Sequence, residues 1–165
     1  MKFRCEHRFS NISLSEFERL YFSEEFNVAL CKAVNLQRTL ISRDEANGRL
    51  RRVVKVAPDR EIPAPAARIL GSNKIEYTET IEYSLGSGRV NWSTVSSVMT
   101  DKVDSRGTVT FSSIGGQVLR AVEGDVTVRI PLVGGTVEKF IIADIEKSYE
   151  RAAEFTRGWI VSHPA

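Results

Sequence analysis

The sequence predicts an α+β domain, a curved antiparallel sheet of about seven strands covered by one long C-terminal helix. Three observations point there. One alternating segment opens the chain and is followed by two short stretches with helical spacing. Apolar and polar residues then alternate from residue 37 to residue 130, broken at Asn47-Gly48, Gly86-Ser87-Gly88 and Gly115-Gly116, which is the chemistry of tight turns. Beyond Pro131 the period becomes that of a helix and holds almost to the last residue.

The opening segment, 2–10, sets Phe3, Cys5, His7 and Phe9 on one side and Lys2, Arg4, Glu6, Arg8 and Ser10 on the other, as a half-buried strand does. His7 reads as a core histidine with satisfied ring nitrogens, because the pattern brings no carboxylate or nucleophile near it. Residues 11–20 offer N-cap candidates followed by Glu16 and Glu18, acids that favour the positive end of a helix. A second helix is expected from Ser23, with Phe26, Ala29, Leu30, Ala33 and Val34 at helical spacing.

Residues 37–42 and 50–56 then form a hairpin around 44–48, where Asn47-Gly48 supplies the positive backbone angles of the turn. Pro58, Pro63 and Pro65 exclude a central strand over 58–67, and Arg68-Ile69-Leu70-Gly71 closes a helical turn, so this segment reads as a crossing connection or a lid. Two further hairpins follow. Residues 74–85 place Ile75, Tyr77, Glu79, Ile81, Tyr83 and Leu85 on one face, and 89–99 return with Val90, Trp92, Thr94, Ser96 and Val98. Residues 103–113 and 117–130 make the last pair, the latter with Val118, Arg120, Val122, Gly124, Val126, Val128 and Ile130 facing one way. The final helix is expected from 136 to about 160, with Phe140, Ile141, Ile145, Tyr149 and Trp159 buried against the sheet and Glu138, Lys139, Glu146, Lys147, Glu150 and Arg151 in solvent. Its length of roughly 40 Å suits the long dimension of a curled sheet.

This element order, with a long last helix after Val-Arg-Ile-Pro-Leu-Val-Gly-Gly, resembles the START-like, or helix-grip (SRPBCC), superfamily of lipid-transfer domains, pollen allergens and aromatic cyclases. The resemblance covers the whole chain. The run over 124–139 is most similar to a bacterial branch of that superfamily whose members lack an assigned activity. It implies a cavity between the sheet and the last helix, and a hydrophobic small molecule (lipid, isoprenoid or aromatic metabolite) as the partner.

Composition narrows the function further. The 165 residues are read as one domain, 1–165, and 23 Lys plus Arg against 21 Asp plus Glu give no field that would favour nucleic acid. The charged N-terminus is unlike a signal peptide, and no apolar run approaches a membrane span. Cys5 and Cys31 lack metal spacing and are expected to be free thiols in a cytoplasmic protein. Dinucleotide, Walker and nucleophile-elbow motifs are missing, as is any His/Cys/carboxylate set with metal spacing, so no cofactor and no metal are expected. Gly115-Gly116 and Gly134-Gly135 are assigned to a hairpin turn and a strand-to-helix corner.

What remains is a set of polar residues on faces that otherwise read as inward: Glu79, Thr94, Ser96 and Arg120. A dry core accepts a carboxylate and a guanidinium only when they are partnered. Glu79 and Arg120 therefore pair, or hold the polar end of a ligand between them, unless bulges turn them outward. Tyr77, Tyr83 and Trp92 would supply an apolar wall with polar tips, and Ile141 and Tyr149 the helix side of the same pocket. Two other readings stand beside this one: a cyclase- or hydrolase-type enzyme with Glu79 as general acid or base and Arg120 on an oxyanion, and a structural domain that binds a protein through the sheet. The sequence carries no signal for oligomeric state.

Overall fold

A computed structural model describes residues 1–59 and 61–164. Among them the chain runs β1 (Lys2–Phe9), α1 (Leu14–Tyr21), α2 (Glu24–Ala33), β2 (Leu36–Ala46), β3 (Arg49–Pro58), α3 (Ala64–Leu70), β4 (Tyr77–Ser84), β5 (Arg89–Ser96), β6 (Val103–Ile114), β7 (Gln117–Val128) and α4 (Gly134–Ser162). The seven strands form one antiparallel sheet in the order β1-β7-β6-β5-β4-β3-β2. From β2 to β7 strands adjacent in sequence are neighbours throughout, by hairpins except for β3 and β4, which are joined through α3, and β1 pairs with β7 at the far edge from β2. The chain crosses between these edges through α1 and α2. Ser13 and Glu16 close a capping box at the start of α1, and the Ser23 hydroxyl accepts from Phe26 N at the start of α2. This is the α+β helix grip.

Local chemistry fixes the turns. Asn47 and Gly48, at φ 54° and 73°, are the whole β2–β3 loop, so the strands extend beyond the expected hairpin and take in Asp44, Glu45 and Ala46. The β2–β3 register shifts between Leu40 and Ser42, a bulge on the edge strand. Strand β4 ends at Ser84, which leaves Leu85 62% exposed instead of on the inner face.

Two glycines mark where the sheet bends and where the helix meets it. A Cβ on Gly124 would lie 2.6 Å from the rings of Phe3 and Trp92, so only glycine lets these rings lie across β7. A Cβ on Gly134 would lie 2.3 Å from the carbonyl oxygen of Val128, so α4 starts against the end of β7 two residues earlier than its apolar pattern suggests.

Helix α4 then packs on β7, β1 and α2. Its fully packed side is Val137, Ile142, Ala152, Ala153, Thr156 and Ile160. Phe140, Ile141, Ile145 and Tyr149, expected to be buried against the sheet, are only half-buried because part of each faces a cavity. Trp159 is also half-buried and packs edge-on against Phe26 of α2, with its ring stacked on His163. A stripe marks the side of a helix that leaves water, and here part of that side meets other elements and part meets space. No helix among the described residues is long and apolar enough to cross a membrane.

Candidate functional site

The inner face of the sheet divides into two parts along the strands. Toward the β4–β5 turn, Leu50, Tyr83, Val90, Val109 and Val122 lie side by side across β3 to β7 and are almost fully buried. Aromatic rings from α1 and its cap close over that end: Phe17 meets Phe9 at 4.9 Å and Phe111 at 5.3 Å, and Phe22 stacks on Tyr83 at 4.5 Å. Four residues further along each strand the corresponding row is Val54, Glu79, Thr94, Ser105 and Val126. Above it lies a cavity of about 580 Å³, bounded by this part of the sheet, by Phe26, Leu30 and Val34 from α2 and its cap, and by one side of α4.

Of the residues singled out in the sequence, Tyr77, Glu79, Trp92, Thr94, Ser96 and Arg120 line this cavity from the sheet. Ile141 and Tyr149 line it from α4. Tyr83 does not. It belongs to the closed end, beneath Phe22, where burial and the Glu18 carboxylate push its phenol up to about 12. The alternation places Tyr83 and Glu79 on one face but does not say how far along the strand the cavity extends.

Burial raises the Glu79 carboxyl above its ordinary value, against the pull of Arg52 and Arg38. It makes no hydrogen bond among the described residues. Arg38 is held by the Glu24 carboxylate through two hydrogen bonds, at 2.7 and 3.1 Å, and Arg43 donates to the same carboxylate at 3.0 Å. Arg52 was missed in the sequence, although Leu50, Arg52, Val54 and Val56 alternate inward on β3 by the same rule that exposed Arg120 on β7. Its side chain is 5% exposed, and Nε and Nη1 have no hydrogen-bond partner among the described residues.

Arg120 is differently placed. The strand row that carries Glu79 reaches β7 at Val126, six residues from Arg120, so the expected Glu79–Arg120 pair does not form. Instead Arg120 Nη2 donates to His7 Nδ1 at 3.0 Å and to the Tyr149 carbonyl at 3.2 Å. The guanidinium lies over the rings of Phe9 and Tyr149 at 5.3 and 5.1 Å. Because His7 Nδ1 accepts, Nε2 carries the proton and donates to Glu150 Oε2 at 2.8 Å. Burial holds the His7 pKa below its ordinary value, opposed by the Glu150 hydrogen bond. The set Glu150, His7 and Arg120 thus ties β1, β7 and α4 together beside the cavity. His7 is the satisfied core histidine expected, with its carboxylate supplied by α4, which no local pattern could reveal.

Residues 6–160 match the family described as Protein of unknown function (DUF2505). No curated protein matches the chain. Among solved structures, TTHA0849 from Thermus thermophilus is similar with a TM-score of 0.70 at 16% identity, over 99% of this chain and 100% of that one. A START superfamily protein from Mycobacterium smegmatis is similar with a TM-score of 0.56 at 12% identity, over 98% of this chain and 97% of its own. A norcoclaurine synthase point mutant from Thalictrum flavum, in complex with a transition-state analogue, is similar with a TM-score of 0.66 at 14% identity, over 100% and 98% of the two chains. At these identities the likeness is one of fold, the START-like helix grip.

Proposed function

The chain belongs to the DUF2505 family of proteins of unknown function, and from the form of its cavity we infer that it binds a hydrophobic small molecule between the curved sheet and α4. The observation that carries this reading is the cavity itself. At about 580 Å³ it falls within the range of roughly 300–1,000 Å³ of small-molecule sites, and its walls are mostly aliphatic and aromatic with a few grouped polar side chains. A lipid, isoprenoid or aromatic metabolite has that character. A domain that only bound a protein through its sheet would have no reason to leave this space unfilled, since packing the interior with side chains is more stable. The thiols of Cys5 and Cys31 are free, which suits a reducing compartment such as the cytoplasm.

Native mass spectrometry of freshly purified protein, followed by solvent extraction, tests the reading. The expected result is a reproducible mass excess that disappears on denaturation and reappears as an apolar compound in the extract. Protein that carries no excess over several preparations, and gains none when offered hydrophobic compounds, would refute it.

The Glu79 carboxyl favours a second reading, an enzyme of the cyclase or hydrolase type in which it acts as general acid. It faces the cavity, and burial shifts it toward the protonated form. Arg120 has no oxyanion to hold in this version, because its hydrogen bonds go to His7 and Tyr149. A Glu79→Gln protein that retains the extracted compound but no longer converts it would favour the enzyme. Unchanged compound with both proteins favours binding alone.

A further inference from the structure

The cavity floor is not evenly polar. Register places Glu79, Thr94 and Ser105 directly opposite one another on β4, β5 and β6. Arg52 stands opposite Ile81 on β3 and so lies diagonally across from Glu79 on the same face. Among the described residues no ion pair joins the two. The nearest carboxylate to Arg52 within ion-pair range is Glu24, whose Oε1 is 3.7 Å from Nη1 and already accepts from Arg43, while the same carboxylate is forked on Arg38. A guanidinium buried to this degree with two nitrogens unpartnered is a costly thing to leave in a fold.

The hydrogen-bonding inventory around it is lopsided. Arg52 offers Nε and Nη1, and Trp92, two strands away in the same cross-strand row, offers an indole N–H that also lacks a partner among the described residues. Glu79 is the acidic side chain diagonal to Arg52, and burial shifts it toward the protonated form, in which it too can donate. The floor therefore holds a buried cation short of a bound counter-ion, with Arg52 Nε and Nη1 and the Trp92 indole N–H bonded to no acceptor among the described residues. Water supplies donors and acceptors in equal number and no charge, and an alcohol supplies a single oxygen. A phosphate head would bring more negative charge than one arginine balances, next to Glu79.

We propose that this floor takes the carboxylate head of an amphipathic acid, with Arg52 as its cation and Glu79, Thr94 and Ser105 as hydrogen-bonding neighbours; the proposal rests on the cavity-binding reading above. The hydrocarbon part then lies along Val56, Val98 and Val103 of the sheet side and Phe140, Ile141 and Ile145 of α4, all of which line the same space.

The test uses dodecanoic acid and its methyl ester, which share a chain and differ in the charged head. Each competes at pH 7.5 against the neutral dye Nile red for the full chain. The acid is expected to displace the dye at a concentration at least about tenfold lower than the ester, a ratio typical of one buried charged contact. In Arg52→Met that preference disappears while the midpoint for the ester is retained, and in Arg52→Lys part of it remains. Equal midpoints for acid and ester on the unaltered chain, or a preference that survives Arg52→Met, overturn the head-group assignment and leave the cavity reading intact. If neither the dye nor either compound binds the unaltered chain, the cavity reading falls and this one with it. The acid-to-ester ratio on the unaltered chain decides the matter even if Arg52→Met does not fold.

Discussion

Two ends of one sheet, four residues apart on every strand, are built to opposite purposes. At the closed end Leu50, Tyr83, Val90, Val109 and Val122 meet Phe17, Phe22 and Phe111, and the polar groups there are the Tyr83 phenol and, at the β7 edge over Phe9, the Arg120 guanidinium with its partner His7. At the other end Val54, Glu79, Thr94 and Ser105 face a cavity. The strands are the same strands and the alternation is continuous, so the difference comes from what lies above. Helix α1 delivers its rings to one end, while α4 passes over the other with half-buried side chains. The comparison separates stability from binding. The closed end holds the domain together, and the open end is free to carry polar groups that a packed core would reject.

The largest expected effect is at the closed end. Val109→Asp puts a carboxylate among side chains that offer it no partner and should abolish folding, since the loss exceeds about 4–5 kcal/mol. Circular dichroism of the purified variant reads this directly, and a cooperative melt near that of the parent would mean the closed end is not the packed core described. Truncation gives the next contrast. Phe111→Ala should cost about 3–5 kcal/mol in urea denaturation, because it empties a site ringed by Phe17, Tyr21 and Phe22. Ile145→Ala, on the cavity wall, should cost less than about 2 kcal/mol because part of its surroundings is already space. Equal costs would erase the distinction between the ends.

Smaller effects appear as pH slopes. His7 has a folded pKa below the ordinary value of about 6.5, so on acidification the unfolded chain takes up this proton first. Stability due to His7 is therefore complete above about 6.5 and declines as the pH falls through the folded value. His7→Gln should be less stable than the parent at pH 8, having lost the link from Arg120 to Glu150, but should lose less on going to pH 5. Melting temperatures at the two pH values measure it, and parallel losses would show that His7 is not the titrating group.

Glu79 gives the opposite slope. Its folded pKa is raised, so the folded state holds the proton longer, and stability due to Glu79 falls as the pH rises from about 4.3 through the folded value. Glu79→Gln should remove that decline and melt at or above the parent near neutral pH. A lower melting temperature for Glu79→Gln at pH 7 would mean the carboxylate is partnered and the floor of the cavity is not in deficit.

Much of this was legible without coordinates. Seven strands, the two short helices, the Asn47-Gly48 turn and the long last helix follow from period and turn chemistry, which are local properties of a few adjacent residues. The same alternation put Glu79, Thr94, Ser96 and Arg120 on inward faces, and applied with equal care to β3 it would have found Arg52. What local pattern cannot contain is which inward residues meet. That depends on strand order and register, and these place Arg120 six residues from the row of Glu79 and give it His7, 113 positions away in the chain, as its partner. Nor can a helical stripe tell a wall that touches the sheet from one that faces a cavity, because both are apolar and both leave water. Only the height at which α4 crosses the sheet, set by Gly134 against Val128 at one end and by its contact with α2 at the other, decides that Phe140, Ile141, Ile145 and Tyr149 look into open space.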